Sequence, residues 1–307
     1  MSSKPLRICV LGGTGFVGSE LVARLAADGH WVRVPTRYRA RGNHLRVLPT
    51  LELVVANVHE PRVLAELLSD VDVVINLIGI LNERGRSGAG FKAVHADFVA
   101  KLVDAARAGR VRRVLHMSAL GADAEKGPSH YLRTKGEGEA HLRAAAGFLD
   151  ATIFRPSVIF GPRDSLTNRF AGLLRLSAGF LPLARPKARF APVYVGDVVE
   201  AFLRALDDPR TIGQSYELCG PEIVTLEELV RITARAAGLP CHILPLPDFV
   251  ARMQAFVMDF VPGKPFSTDN YRSLTVDNVC REDGFARLGI RPTPMAGVLP
   301  EYLRRRA

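Results

Sequence analysis

The sequence predicts a doubly wound, parallel α/β sheet joined to a smaller, mostly helical part, and three observations carry that expectation. Short Val/Ile/Leu-rich runs alternate with helix-period segments through the first half of the chain. A glycine-rich turn lies between the first such run and the first helical segment. Near Gly161 the rhythm breaks, and Pro and Arg become frequent. Continuous apolar runs, rather than alternating ones, mark strands covered on both faces by crossover helices.

The elements follow in order. "LRICVLGG" is a β-rich run, "FVGSELVARLAADGH" has helical apolar spacing, and "WVRVPTR" is a second strand. "LELVVAN", "VDVVINLIG", "VRRVLHMSA" and "DATIFRPSVIF" read as further strands, separated by the helical segments "PRVLAELLSD", "FKAVHADFVAKLVDAARAG" and "YLRTKGEGEAHLRAAAG". Later come a helix started by Asp197 in "GDVVEAFLRALDD", a strand "QSYELCG", and a helix opened by a Thr225/Glu228 capping box. At 307 residues the chain exceeds a comfortable single core. The expected division is a nucleotide-binding domain over 1–160, to which 191–220 returns, and a smaller substrate-side domain from 161–190 and 221–307.

Composition narrows the function. No apolar stretch reaches the roughly 18 to 20 residues of a membrane span, and strand-like sequence begins within a few residues of Met1. The expectation is a soluble, cytoplasmic protein, with peripheral membrane association left open. Forty-one Lys and Arg against 31 Asp and Glu give a formal charge of +10, which suits an anionic partner or an arginine-rich solvated exterior. Nucleic acid is disfavoured, because the arginines are dispersed and no basic recognition helix stands out. Cys9, Cys219, Cys241 and Cys280 lack metal-ligand or redox spacing. They are expected to be reduced, mostly buried thiols, and no metal site is expected.

"VLGGTGFVG" sets Gly12, Gly15 and Gly18 between a strand and a helix, where a diphosphate can approach free N–H groups and the positive end of the helix dipole. Gly12, Thr14, Gly15, Phe16, Val17 and Gly18 are therefore assigned to a dinucleotide cofactor. The second strand ends at Arg37, where an NAD site usually places an acidic residue for the ribose 2′-hydroxyl. Arginine there favours NADP(H) over NAD(H).

"GGTGFVG", "VVINLIG", "YLRTK" and "RPSVIFGPRD" together resemble the extended and atypical branch of the short-chain dehydrogenase/reductase superfamily, with its Rossmann fold. More narrowly, "VINLIG", "YLRTK", "FGPRDSLTNRF", "PVYVGDV" and "LGIRPTP" resemble the accessory subunit of respiratory complex I built on that fold, and its bacterial relatives. The resemblance covers nearly the whole chain. It implies that Tyr131 is a general acid/base and that Lys135, one helical turn later, lowers its pKa and binds the nicotinamide ribose. Positions i and i+4 share a helix face, and a nearby ammonium favours a phenolate. The family's strand-end pair of hydroxyl residues reads Ser118-Ala119 here, so either Ser118 takes the oxyanion role or that role is unfilled.

The resemblance also places Leu77, Ile78 and Gly79 along the cofactor, and Pro156 and Ser157 near the nicotinamide. Asn57, with Val58, stands where the family usually offers Asp to the adenine. On the substrate side, Phe249, Val250, Met253, Phe256, Val257, Phe260 and Val261 form one helical stripe. Packed core is the expected role of such a stripe, and a cover over a lipophilic substrate or a membrane contact is the alternative.

The leading expectation is an NADPH-dependent oxidoreductase acting on a lipophilic carbonyl or quinone-like substrate. Alternatives are a catalytically silent, nucleotide-binding accessory or assembly protein and, more weakly, a sugar-nucleotide epimerase or dehydratase.

Overall fold

The computed structural model describes residues 4–262 and 264–304. Strands β1 (Arg7–Leu11), β2 (Trp31–Thr36), β3 (Leu51–Val55), β4 (Val73–Asn76), β5 (Arg113–Met117) and β6 (Asp150–Pro156) form a parallel sheet with a seventh strand, Ser215–Leu218. The spatial order is Ser215–Leu218, β6, β5, β4, β1, β2, β3. The order reverses between β1 and β4, and in open α/β sheets the crevice beyond the carboxyl ends of the strands at such a point is where ligands bind.

Helices cover both faces, as the continuous apolar strands require. On one face, Leu21 and Leu25 of α1 (Phe16–Ala27) and Val198 and Phe202 of the helix Val195–Asp207 pack against Ile8, Val10 and Val34. On the other, Leu64 of α2 (Pro61–Leu67), Phe98 and Leu102 of α4 (Phe98–Ala108) and Leu142 of α5 (His130–Ala144) pack against Cys9, Leu11 and Val74. Ahead of α4 lie one α-helical turn, α3 (Ala89–Lys92), and a π-helical turn, Ala93–Asp97. The C-terminal part has its own core, where Leu174 of α6 (Thr167–Leu176), Leu229 and Val230 of α8 (Leu226–Ala237), and Val298 and Leu299 of the last helix meet; the helix Val195–Asp207 between α6 and α8 is α7.

Four expectations are corrected. "DATIFRPSVIF" is two strands, because the backbone turns after Pro156 and Ile159–Phe160 pairs with Val193–Tyr194 instead. Asp197 does not cap its helix: the N-cap is Tyr194, and the Asp197 carboxylate accepts hydrogen bonds from the Thr293 amide and hydroxyl at 2.6 and 2.9 Å. Cys219 and Cys280 are not reduced thiols but form a disulfide across 61 residues of sequence. The end of the seventh strand lies under the loop that carries Cys280, a proximity no spacing rule could reveal. Cys9 remains a free, fully buried thiol, with burial pushing its pKa up to about 12.

The fourth concerns the apolar stripe. In α9 (Asp248–Met258) the buried residues are Ala251 and Ala255, which pack on Ala184 and Tyr271. Phe249, Met253, Phe256, Val257 and Phe260 are exposed instead. The packed-core expectation is overturned, because small side chains let the helix lie close to the body while the large ones point outward.

The Thr225/Glu228 capping box is present as expected. The "FGPRD" turn is organised by Asp164. Its buried carboxylate accepts from the amides of Gly161 and Thr167 and from the Tyr302 hydroxyl of the last helix. This segment of the resemblance is architectural.

The helical part also reaches back to α5. Asp269 in α10 (Thr268–Ser273) accepts from the first two amides of α5, His130 at 2.7 Å and Tyr131 at 3.1 Å, while Ser129 caps Leu132 at 3.2 Å. Three of the free donors of this helix end are thereby satisfied, two of them by a carboxylate more than a hundred residues away. Asp269→Ala is expected to destabilise the protein by about 1–2 kcal/mol. Denaturant unfolding checks this, and an unchanged midpoint would show that the cap is idle.

Candidate functional site

The glycine-rich turn brings backbone to backbone. Gly12 has φ +85°, and a Cβ there would stand 3.1 Å from the Leu77 carbonyl carbon and 3.2 Å from the Ile78 nitrogen. At Gly18 a Cβ would come within 2.3 Å of the Gly12 oxygen. Only glycine fits both the left-handed conformation and the contact between helix and turn. Gly15 is the N-cap of α1 and makes no side-chain cap, so the first amides of that helix remain available to a phosphate. Thr14, Phe16 and Val17 belong to the same turn and first helical residues.

The other nominated residues gather at one edge of the sheet. Arg37 follows β2, Asn57 and Val58 follow β3, Leu77 to Gly79 follow β4, Ser118 follows β5, Pro156 ends β6, and Ser157 comes next. Arg37 is exposed, and its charge helps lower the pKa of His59 after burial and Lys101. That places Arg37 within electrostatic reach of the Asn57–His59 turn, the adenosine end of such a site. The Asn57 amide donates to Glu60 at 2.9 Å, and its oxygen accepts from the His59 amide at 3.3 Å. The Ser157 hydroxyl is engaged elsewhere, donating to the Asn278 side-chain oxygen at 2.6 Å.

Tyr131 and Lys135 lie one turn apart on α5. The Lys135 ammonium is buried and donates to the Met117 carbonyl at 3.0 Å, fixing α5 to the end of β5 beside Ser118. Burial lowers its pKa to about 8, against the opposing charge of Glu139 one turn further on. Glu139 is itself fully buried and accepts from Arg155 at 2.8 Å, with Arg143 also bonded to it at 2.8 Å. Burial raises the Tyr131 phenol to about 12. The expected lowering of that pKa by Lys135 is not among its causes, so the phenol holds its proton at neutral pH.

The Ser118 Oγ is buried without a hydrogen-bond partner among the described residues. A hydroxyl so placed at a strand end awaits an acceptor or donor from a ligand, since an unmet polar group in the interior costs about 1–3 kcal/mol. The glycine cradle, the ammonium beside Gly79 and the orphaned Ser118 hydroxyl together fit a nicotinamide dinucleotide. The first turn of α1 would hold its diphosphate, and Lys135 its ribose. When bound, such a group donates or accepts hydride.

Sequence reading missed His95. It sits in the π-helical turn, a feature that often re-aims a side chain at a functional site. Its ring meets that of Tyr131 edge-on at 5.3 Å, its Nε2 accepts from the Ile80 amide at 3.0 Å, and its Nδ1 pairs with the Thr134 hydroxyl at 3.1 Å. Burial and the Lys135 charge push its pKa down to about 2, so it is neutral and an orienting group. A lone histidine in an apolar helix gives no sequence signal for this.

A cleft of about 210 Å³ opens between the loop that follows β4 and residues 259 and 264–272. Phe91, His130, Asn82, Arg86 and Lys264 line it. The two walls are tied by Arg86 to the Asp259 carboxylate at 3.1 Å, by the Asn82 amide to the Lys264 carbonyl at 3.2 Å, and by Lys264 to the Gly85 carbonyl. These partners were also missed, because they lie far apart in sequence.

Comparison with known proteins agrees with this geometry. The model of the NAD dependent epimerase/dehydratase family matches residues 8–219. Subunit 9 of the mitochondrial NADH dehydrogenase (ubiquinone) 1 alpha subcomplex from Arabidopsis thaliana is 32% identical, over 96% of this chain and 76% of that one. A ceramide reductase from Caulobacter vibrioides is 32% identical over 78% of this chain and 74% of its own length. Among solved structures, UDP-glucuronic acid 4-epimerase from Bacillus cereus aligns over 98% of this chain and all of that one, with TM-score 0.79 and 18% identity, a likeness of fold. The chain therefore belongs to the NAD dependent epimerase/dehydratase family, on the short-chain dehydrogenase/reductase fold, and is a homologue of the complex I subunit and the ceramide reductase.

Proposed function

We propose that this protein is an NADP(H)-dependent oxidoreductase that reduces a lipophilic carbonyl or quinone-like substrate. The observation that carries the reading is the cluster at the end of β5. The Lys135 ammonium is bound to the carbonyl that precedes Ser118, whose buried hydroxyl has no hydrogen-bond partner among the described residues, and the protonated phenol of Tyr131 belongs to the same helix one turn before Lys135. Tyr131 donates a proton to the oxygen of a carbonyl as its carbon gains hydride, Lys135 orients the ribose, and Ser118 donates to the same oxygen. A phenol kept neutral suits proton donation, the direction a reductase needs. The cleft lined by Phe91, whose ring meets that of Tyr131, and by His130 is the proposed entry for the substrate. The relationship to a reductase named for ceramide and to a subunit of a ubiquinone-linked dehydrogenase supports a lipophilic substrate. Arg37 is the feature that favours NADP(H).

A second reading is favoured by one observation, Ala119 at the position of the family's usual second hydroxyl, together with the homology to a complex I subunit. In it the chain binds nucleotide as an accessory or assembly protein without turnover. Division into a nucleotide-binding body and a substrate-side helical part serves both readings.

Three measurements test these assignments. Tyr131→Phe should lower NADPH oxidation by about 10²–10⁴-fold with cofactor affinity held within about threefold. Stopped-flow turnover and fluorescence titration read the two; equal turnover in the variant would refute Tyr131 as the proton donor, and no turnover by the wild type would refute the enzyme reading. Arg37→Ala should weaken NADPH binding by about tenfold or more with little effect on NADH, measured by calorimetry. Turnover should fall as pH rises through about 8, because the Lys135 ammonium loses its proton there while the Tyr131 phenol keeps its own to about 12. A pH–rate profile flat from neutrality to pH 10 would count against the role of Lys135.

A further inference from the structure

We infer that the exposed face of α9, with the tip of loop 80–90, is a docking surface for an anionic lipid bilayer. Phe249 is 73% exposed and Phe260 67%, and Met253, Phe256 and Val257 share their face. Leu81 is exposed at the facing loop, which hydrogen-bonds to α10 through Asn270 and the Leu81 carbonyl. Single exposed apolar residues are ordinary, but a helix that buries its alanines and presents three aromatic or sulfur-bearing side chains and a valine is inverted for an aqueous surface. An apolar helix face flanked by basic residues is the pattern of an interfacial helix.

The charges around the stripe point to an anionic surface rather than a second protein. Every carboxylate in the two segments is engaged inward or paired. Glu83 accepts from the amides of Gly88 and Gly90, Asp259 is held by Arg86 and Thr268, Asp269 caps α5, and Asp248 is paired with Arg252. Arg84 and Arg272 are exposed and form no ion pair among the described residues. Arg86 lies over the rings of Phe256 and Phe260 at 4.5 and 5.3 Å, so its cation sits at the border of the apolar face. The same Arg86 and Lys264 line the cleft. A bilayer met by this face therefore adjoins the cleft mouth. The surface itself does not depend on the redox reading.

The test is sedimentation of the full chain with vesicles of phosphatidylcholine alone and of phosphatidylcholine mixed with phosphatidylglycerol, at physiological ionic strength. The wild type should pellet with the mixed vesicles and much less with the neutral ones. The Phe249→Ser/Met253→Ser double variant should partition about tenfold or more weakly. Both positions are exposed, so a thermal melt matching the wild type confirms that the variant is folded. Arg84→Gln/Arg272→Gln should weaken pelleting on the mixed vesicles alone. Failure of the wild type to pellet, equal pelleting with both vesicles, or undiminished pelleting of the serine variant overturns the inference. So does a self-associated form or protein complex that the serine variant abolishes while vesicles bind neither protein. NADPH fluorescence on the same samples keeps the two conclusions separate: vesicle binding by protein that binds no NADPH upholds the surface and refutes the cofactor assignment.

Discussion

The buried ammonium of Lys135 is the constraint on which the site depends. A cation removed from water must be compensated, and here the Met117 carbonyl and the charge of Glu139 do so incompletely, which leaves its pKa near 8. Glu139 in turn needs Arg155 and Arg143, so a chain of charges runs from the sheet edge to the solvent side of α5. That chain ties α5, which carries Tyr131, to the end of β5 beside Ser118.

The helical part contributes more than a lid. Its carboxylate Asp269 closes the exposed amides at the start of α5, and Ser273 reaches the capping Ser129 at 2.9 Å. Loop 80–90, which leaves the sheet after β4, is clasped by Arg86 to Asp259 and by Asn82 to the Lys264 carbonyl. The cleft wall, the helix bearing the phenol and the outward-facing α9 are thus mechanically one unit.

Much of this was legible in the chain because it is local. The alternation of apolar runs and helical spacing defines the sheet, and the order of strand, glycine turn and helix defines the cradle. The same holds for the Tyr131–Lys135 pair, whose spacing alone puts both on one helical face. Asp197 shows the limit of local reading: an acidic residue near a helix start resembles a cap, yet it belongs to Thr293 across the fold. Cys219 and Cys280 show it again.

The sequence by itself determined the fold class, the glycine-rich turn between the first strand and helix, and the positions that line the sheet edge, since each follows from backbone conformation or from spacing within one element. Only the tertiary structure decided which side chains have partners. It placed His95 against Tyr131, Asp269 under α5, and the alanines of α9 inward with its aromatics outward. The physical reason is the same in each case: these outcomes depend on contacts between segments distant in sequence, where neither propensity nor periodicity carries information about the neighbour.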